Sequence, residues 1–170
     1  ALRSDLQVPI LVVQHLAPEF ILGLAEWLNL TSALRVQVAE DGERLEPGVV
    51  YLAPDQRHLG VAPSHAILLS EDPPIDGFRP SGTFLFESVA KVYGPAGAAL
   101  IMTGMGRDGV AGLRTLRQAG GHVIAQDEES SVVFGMPSEA IAAGYADRVL
   151  PLLQIPGYLD TLLNGRGQRR

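Results

Sequence analysis

The apolar positions of the chain fall into short continuous runs that alternate with stretches of helical spacing. Residues 8–14 and 98–102 are such runs without polar alternation, which is typical of strands buried on both faces. After the second run, apolar side chains recur every three residues from 110 to 116 and a glycine pair follows at 120–121, a pattern that predicts a helix and its end. The turn between strand and helix, residues 103–109, therefore lies at the carboxyl end of a buried strand.

The same criteria divide the rest of the chain into strands and helices. The predicted strands are 8–14, 35–40, 49–53, 58–61, 66–69, 98–102 and 122–126, with 149–152 either a last strand or an extended connection. The predicted helices are 18–29, 82–93, 110–118, 137–143 and 155–163. Closely spaced turns predict that 49–53, 58–61 and 66–69 are antiparallel. The pattern predicts an α/β fold: a doubly wound, mostly parallel sheet with helices on both faces and an antiparallel hairpin at one edge.

Composition limits the class of protein. With 170 residues, 46% of them hydrophobic and 19% charged, the chain is typical of one globular domain, expected over residues 1–165, with a short basic tail at 166–170. A net charge of −6 argues against a nucleic-acid partner. The absence of cysteine excludes disulfides and thiolate metal sites. No apolar run approaches the roughly 20 residues of a membrane helix, and the first residues do not resemble a signal peptide, so we expect a cytoplasmic protein without membrane insertion.

Two ionisable side chains follow the apolar runs. His15 comes directly after the first run, and Asp108 lies in the turn after the second. Because the carboxyl ends of parallel strands meet at one edge of a sheet, we expect the two to lie close together. An imidazole oriented through its Nδ1 proton by a buried carboxylate is half of a nucleophilic catalytic site. Alternatively, Asp108 caps a helix and His15 bonds only to backbone.

The same turn also matches a different motif. Residues 104–109 read G-x-G-x-x-G between a strand and a helix, and Asp127 follows the next strand near the ribose-binding position of a dinucleotide fold. Against this alternative, Asp108 would bring a negative charge to the pyrophosphate. In addition, only 43 residues follow Asp127.

The remaining histidines suggest no metal site. His58 is predicted to be structural or on the surface, and no function is assigned to His65 or His122. Since no two histidines have the spacing of metal ligands, we expect no catalytic metal.

Seven stretches in one order, covering nearly the whole chain, carry a family resemblance. They are VVQHLAPEF (12–20), EDGERLEPGVVYLAP (40–54), RHLGV (57–61), FRPS (78–81), LFESVAKVYG (85–94), MTGMGRDGVAGL (102–113) and AQDEESSVVFGMPSEAI (125–141). Together they resemble the catalytic domain of CheB-type protein-glutamate methylesterases.

The resemblance implies a serine hydrolase that removes methyl groups from glutamate γ-methyl esters on chemoreceptors and in some members deamidates receptor glutamines. It implies a Ser–His–Asp triad in which His15 and Asp108 are the histidine and the aspartate. It further implies that the backbone N–H of Met105 is an oxyanion-hole donor and that the reaction needs no cofactor. The family's serine lies in a G-A-S-x-G-G motif that the 170 residues do not contain, so we expect the nucleophile upstream of Ala1.

The resemblance also implies partners. These are the methylated cytoplasmic helices of chemoreceptors and a receiver domain, which is absent from this chain. One departure concerns the family pattern R-P-S-x-D, which here has Thr83 in place of the acid. A methylesterase-like domain that binds its partner without hydrolysis is the alternative function.

Overall fold

The computed structural model describes residues 2–167, with side chains up to residue 163. Ala1 and the end of the predicted basic tail, residues 168–170, lie outside the described residues. The elements are β1 (Ile10–Val12), α1 (Phe20–Thr31), β2 (Arg35–Val38), β3 (Val49–Leu52), β4 (His58–Val61), β5 (Ile67–Ser70), α2 (Gly82–Tyr93), β6 (Ala98–Ile101), α3 (Val110–Gln118), β7 (His122–Gln126), α4 (Met136–Ala142), β8 (Arg148–Leu150) and α5 (Ile155–Gly167). Among these helices none is long and apolar enough to cross a membrane.

The strands form two parallel sheets and one hairpin. One sheet has the order β1-β3-β2 and the other has the order β6-β7-β8, and all their pairs are parallel. The strands β4 and β5 pair antiparallel as a separate two-stranded sheet. The predicted α/β class, with mostly parallel strands, helices and an antiparallel hairpin, is confirmed.

The antiparallel prediction for residues 49–53 is wrong. The strand β3 is the central strand of the first parallel sheet, where Leu52 pairs with both Val12 and Val38. Residues 39–48 connect β2 to β3 without a helix, and on the way Gly42 and Glu43 exchange backbone hydrogen bonds with Ile67 of the hairpin. The turn dipeptides in this connection are of the kind found in hairpins. Here, however, they lead the chain back so that β3 runs parallel to β2.

The helix α2 connects the two halves of the molecule. Its Leu85 belongs to the core formed with β3 and the hairpin, whereas its Ala90 belongs to the core formed with β6, β7 and α3. Phe86 and Val89 pack against both cores. Burial of a side chain such as Leu85 contributes about 1.5–3 kcal/mol, so these contacts hold α2 firmly against both cores.

The strand β1 is less buried than the pattern predicted. Ile10, Leu11 and Val12 are all partly exposed, whereas a strand buried on both faces was expected. The cause is its position: within residues 2–167, β1 and β6 are each hydrogen-bonded to a neighbouring strand on one side only. Both strands therefore present an open edge.

Candidate active site

His15 and Asp108 meet at the carboxyl edge of the two parallel sheets. His15 lies three residues beyond the end of β1, and Asp108 lies in the turn between β6 and α3. The Nε2 atom of His15 is 2.9 Å from Oδ2 of Asp108. The predicted proximity is confirmed, but the predicted contact through Nδ1 is wrong, since the imidazole presents Nε2 to the carboxylate.

The turn around Asp108 depends on the glycine that follows it. Gly109 directly precedes α3. Its φ of 89° is a backbone conformation that residues other than glycine rarely adopt. A Cβ at this position would also lie 3.0 Å from a ring carbon of Phe86 on α2. Glycine therefore allows the turn to pack closely enough on α2 to bury Asp108, whose side chain is only 2% exposed.

The carboxylate of Asp108 is surrounded by hydrogen-bond donors. The hydroxyl of Ser81 donates to Oδ1 at 2.6 Å, and the backbone N–H of Gly82 donates to Oδ2 at 2.7 Å. Burial by itself would raise the pKa of Asp108. Hydrogen bonds from His15, Ser81 and Gly82 outweigh burial and hold that pKa below its ordinary value of 3.8. Asp108 is therefore charged at neutral pH.

The imidazole of His15 is held by a ring contact as well as by Asp108. Phe78 lies against it with ring centroids 4.5 Å apart and planes inclined by 30°. The side chain is 28% exposed, so one part of the ring is accessible from solvent. Among the described residues Nδ1 of His15 has no hydrogen-bond partner, which leaves that nitrogen free to exchange a proton with another group.

The turn that carries Met105 is fixed by hydrogen bonds on the side of β7. The N–H of Thr103 donates to Oε1 of Gln126 at 2.9 Å, and the N–H of Gly104 donates to the carbonyl of Val133 at 3.0 Å. The N–H of Met105 itself has no partner among the described residues, and the residue as a whole is 82% exposed. The turn thus presents an unpaired donor on an anchored backbone.

A close backbone contact braces the same turn from α4. The N–H groups of Gly135 and Met136 both donate to the carbonyl of Gly104, at 3.1 and 2.9 Å. A Cβ on Gly135 would lie 2.6 Å from that oxygen and 3.1 Å from Cα of Met105. Only glycine at 135 lets the two loops approach so closely.

The geometry does not support the dinucleotide alternative. The N–H of Gly109 donates to Oγ1 of Thr83, and that of Gly104 is used within the protein, so neither is free for a phosphate. Asp127, the expected ribose ligand, accepts hydrogen bonds from the backbone and hydroxyl of Ser130 through Oδ1. In the described part of the chain, no group of three or more His, Cys, Asp or Glu side chains is placed to hold a metal ion.

Sequence reasoning missed the residues that orient the pair. Phe78 and Ser81 lie in the proline-rich loop before α2. The loop has no hydrophobic periodicity from which the positions of these side chains could be predicted. A usable signal existed for Ser81, because a serine directly before a predicted helix is a typical N-cap, and Ser81 does cap α2. His58 was predicted to be structural or on the surface, and the structure decides for the first, since the residue is fully buried and stacks on Phe84.

Parallel strands with an imidazole–carboxylate pair at their carboxyl edge are typical of an α/β enzyme that transfers acyl groups. The profile of the CheB methylesterase family matches residues 1–159, and the chain belongs to this family. The catalytic domain of CheB methylesterase from Thermotoga maritima is a structural match with a TM-score of 0.91 and 44% sequence identity, covering 95% of this chain and 87% of that one.

Two curated relatives are similar over almost the whole chain. The protein-glutamate methylesterase/protein-glutamine glutaminase of group 3 operon from Rhizobium meliloti is 52% identical over 167 residues, 98% of this chain and 47% of that protein. The protein-glutamate methylesterase/protein-glutamine glutaminase 4 from Myxococcus xanthus is 51% identical over 166 residues, with the same shares. The chain thus spans about half the length of these relatives.

Proposed function

We propose that this domain hydrolyses glutamate γ-methyl esters on the cytoplasmic helices of chemoreceptors, with His15 and Asp108 as two members of a Ser–His–Asp triad. The observation that carries the proposal is the 2.9 Å contact between Nε2 of His15 and Oδ2 of Asp108, which leaves Nδ1 without a partner among the described residues. The names of the relatives, which pair protein-glutamate methylesterase with protein-glutamine glutaminase, support the same reaction class and its extension to glutamines.

In the proposed reaction a serine attacks the carbonyl carbon of the ester. Its Oγ forms the new bond while Nδ1 of His15 accepts its proton. The carbonyl oxygen becomes an oxyanion, which the unpaired N–H of Met105 stabilises. The intermediate then expels methoxide, which takes the proton from His15 and leaves as methanol. With a glutamine the leaving group is ammonia.

Hydrolysis of the acyl-enzyme repeats these steps with water as the nucleophile. His15 accepts one proton from water as its oxygen attacks the acyl carbon, and returns that proton to the serine oxygen as the bond between this oxygen and the acyl carbon breaks. The glutamic acid product then loses its own proton to solvent. Asp108 stays ionised throughout, because its hydrogen bonds hold its pKa low. Its charge stabilises the imidazolium that forms in both steps, so Asp108 orients and stabilises His15 and does not accept the proton.

The serine in this proposal lies on a segment that precedes Ala1. The open edges of β1 and β6 support the idea, because the contact of His15 with Asp108 brings the carboxyl ends of these two strands together. A further parallel strand between them would end beside the pair, where a residue leaving it could reach Nδ1 of His15. A receiver domain within the longer protein is the proposed regulatory partner.

The nucleophile can be tested directly. The gene sequence before Ala1 is expected to encode a G-A-S-x-G-G motif, and the complete protein is expected to release methanol from methylated receptor membranes. Replacing the serine of that motif by alanine should abolish the release. A segment without a serine, or a complete protein that binds receptor without releasing methanol, would instead favour the binding domain. A thermal shift with millimolar NAD would revive the dinucleotide alternative.

A further inference from the structure

Ser81 has one hydroxyl proton, and its surroundings determine where that proton goes. The side chain is fully buried at the start of α2, where its Oγ accepts a hydrogen bond from the N–H of Thr83 at 3.1 Å. Its other partner, Oδ1 of Asp108 at 2.6 Å, is a carboxylate oxygen that can only accept. The hydroxyl of Ser81 is therefore a committed donor to Asp108.

The two oxygens of Asp108 have different partners. Oδ1 is bonded to Ser81 at 2.6 Å and more weakly to the N–H of Thr83 at 3.4 Å, whereas Oδ2 is bonded to the N–H of Gly82 and to His15. Rotation of the carboxylate would break the bond to Ser81 at the same time as the bond to His15. We propose that Ser81 is a positioning residue, which fixes the carboxylate of Asp108 so that Oδ2 stays aimed at His15. This role rests on the proposed triad.

Ser81 is not a candidate nucleophile despite its closeness to the pair. It is fully buried, so an ester carbonyl cannot reach its Oγ without displacing α2. Its proton goes to Asp108 and not to the imidazole of His15, which is the base in the proposed reaction. A serine in this place acts through Asp108.

The start of α2 is rigid enough for this task. Oγ1 of Thr83 accepts a hydrogen bond from the N–H of Gly109 at 3.0 Å, which ties the helix to the residue after Asp108. A Cβ on Gly82 would lie 3.3 Å from Oδ2 of Asp108, so the backbone itself packs against the carboxylate. Since α2 packs into both hydrophobic cores, the position of Ser81 is fixed by the whole fold.

The test must separate positioning from helix capping. Ser81→Ala removes the hydroxyl and the N-cap together, whereas Ser81→Gly removes the hydroxyl but keeps a residue that is tolerated at an N-cap. Ser88→Ala is the matched control. Its hydroxyl lies on the same helix but bonds only to backbone, donating to Leu85 and accepting from Val61.

The experiment measures kcat and KM of the complete protein on methylated receptor, and the proton NMR resonance of the imidazole N–H that His15 shares with Asp108. We expect Ser81→Gly to lower kcat by roughly threefold to tenfold with little change in KM. Without Ser81 the carboxylate of Asp108 is held less firmly against His15, so this N–H resonance should shift or broaden. Ser88→Ala should change neither quantity, and Ser81→Thr, which keeps the hydroxyl, should restore both.

The proposal is overturned if Ser81→Gly is folded and both its kcat and the imidazole N–H resonance of its His15 equal those of the wild type. It is also overturned if Ser88→Ala shifts that resonance equally, because the effect would then come from the helix as a whole. A wild-type protein that releases no methanol contradicts the proposed function. In that case the N–H resonance still decides whether Ser81 acts on His15 through Asp108.

Discussion

The imidazole of His15 and the carboxylate of Asp108 lie 2.9 Å apart although 93 positions separate them in the sequence. The contact follows from topology, because each residue leaves the carboxyl end of a parallel strand, His15 after β1 and Asp108 after β6. The pair joins two sheets that share no hydrogen-bonded strand within the described residues. The distance between the two side chains therefore depends on the contacts that hold the loop after β1 and the turn after β6 in place.

Phe78 should matter for catalysis through its contact with His15. In Phe78→Leu the ring contact at 4.5 Å is lost, and the imidazole is less restricted to the orientation that Asp108 requires. An aromatic contact of this kind contributes about 0.5–1.5 kcal/mol, so we expect kcat for methyl-ester hydrolysis to fall by roughly threefold to tenfold. Steady-state kinetics of the complete protein measures this fall in kcat.

Phe84→Leu is the control for this variant. Phe84 stacks on a different histidine, His58, with ring centroids 4.8 Å apart. The substitution should lower the thermal stability while kcat stays at the wild-type value. An equal loss of kcat in both variants would mean that Phe78 acts through general stability and not through His15.

Asp108 should make the stability of the fold depend on pH in the acid range. Its pKa is lowered in the folded state, so its contribution is fully present above its ordinary value of 3.8 and is lost as the pH falls through the lower folded value. Unfolding by urea, measured in steps from about pH 6 to about pH 2.5, should show this loss. Asp108→Asn, which cannot ionise, should show a shallower dependence. Parallel curves for the two proteins would contradict this assignment.

Gly135 should be needed to hold the turn that carries Met105. In Gly135→Ala the added Cβ would lie 2.6 Å from the carbonyl oxygen of Gly104, so the two loops must separate. We expect a loss of about 1–3 kcal/mol of stability and a fall in kcat of about 10²-fold, since the N–H of Met105 moves from its position. Chemical denaturation and kinetics of the complete protein measure the two effects.

Gly23→Ala is the matched control for Gly135→Ala. Gly23 lies within α1, and a Cβ there would meet nothing within 4 Å. Because alanine is the better helix former, this variant should gain up to about 1 kcal/mol of stability with unchanged kcat. If Gly135→Ala keeps the wild-type kcat while losing stability, the Met105 turn does not supply a catalytic donor.

The sequence predicted the parts of the fold that depend on hydrophobic pattern. Apolar runs placed β1 and β6, and sheet geometry then brought His15 and Asp108 together. The pattern failed at β3, because turn dipeptides are the same in a hairpin and in a short parallel connection. It also overestimated the burial of β1, since an apolar strand has the same sequence whether its neighbour lies on one side or on both.

The details of the site were beyond the sequence for a different reason. The relative position of the loop after β1 and the turn after β6 determines that Nε2 of His15 faces Asp108. The residue type alone does not show which of the two ring nitrogens will do so. Phe78 and Ser81 reach the pair from a loop whose path is set by tertiary contacts. Only the role of Ser81 as an N-cap was accessible from its position before a helical pattern.

The most direct test is methanol release from methylated chemoreceptor membranes by the complete protein and by its His15→Ala and Asp108→Asn variants. Each variant should fold and bind receptor yet release methanol on the order of 10⁴-fold more slowly, because one loses the base and the other loses the charge that stabilises it. Release near the wild-type rate by either folded variant would contradict the triad assignment.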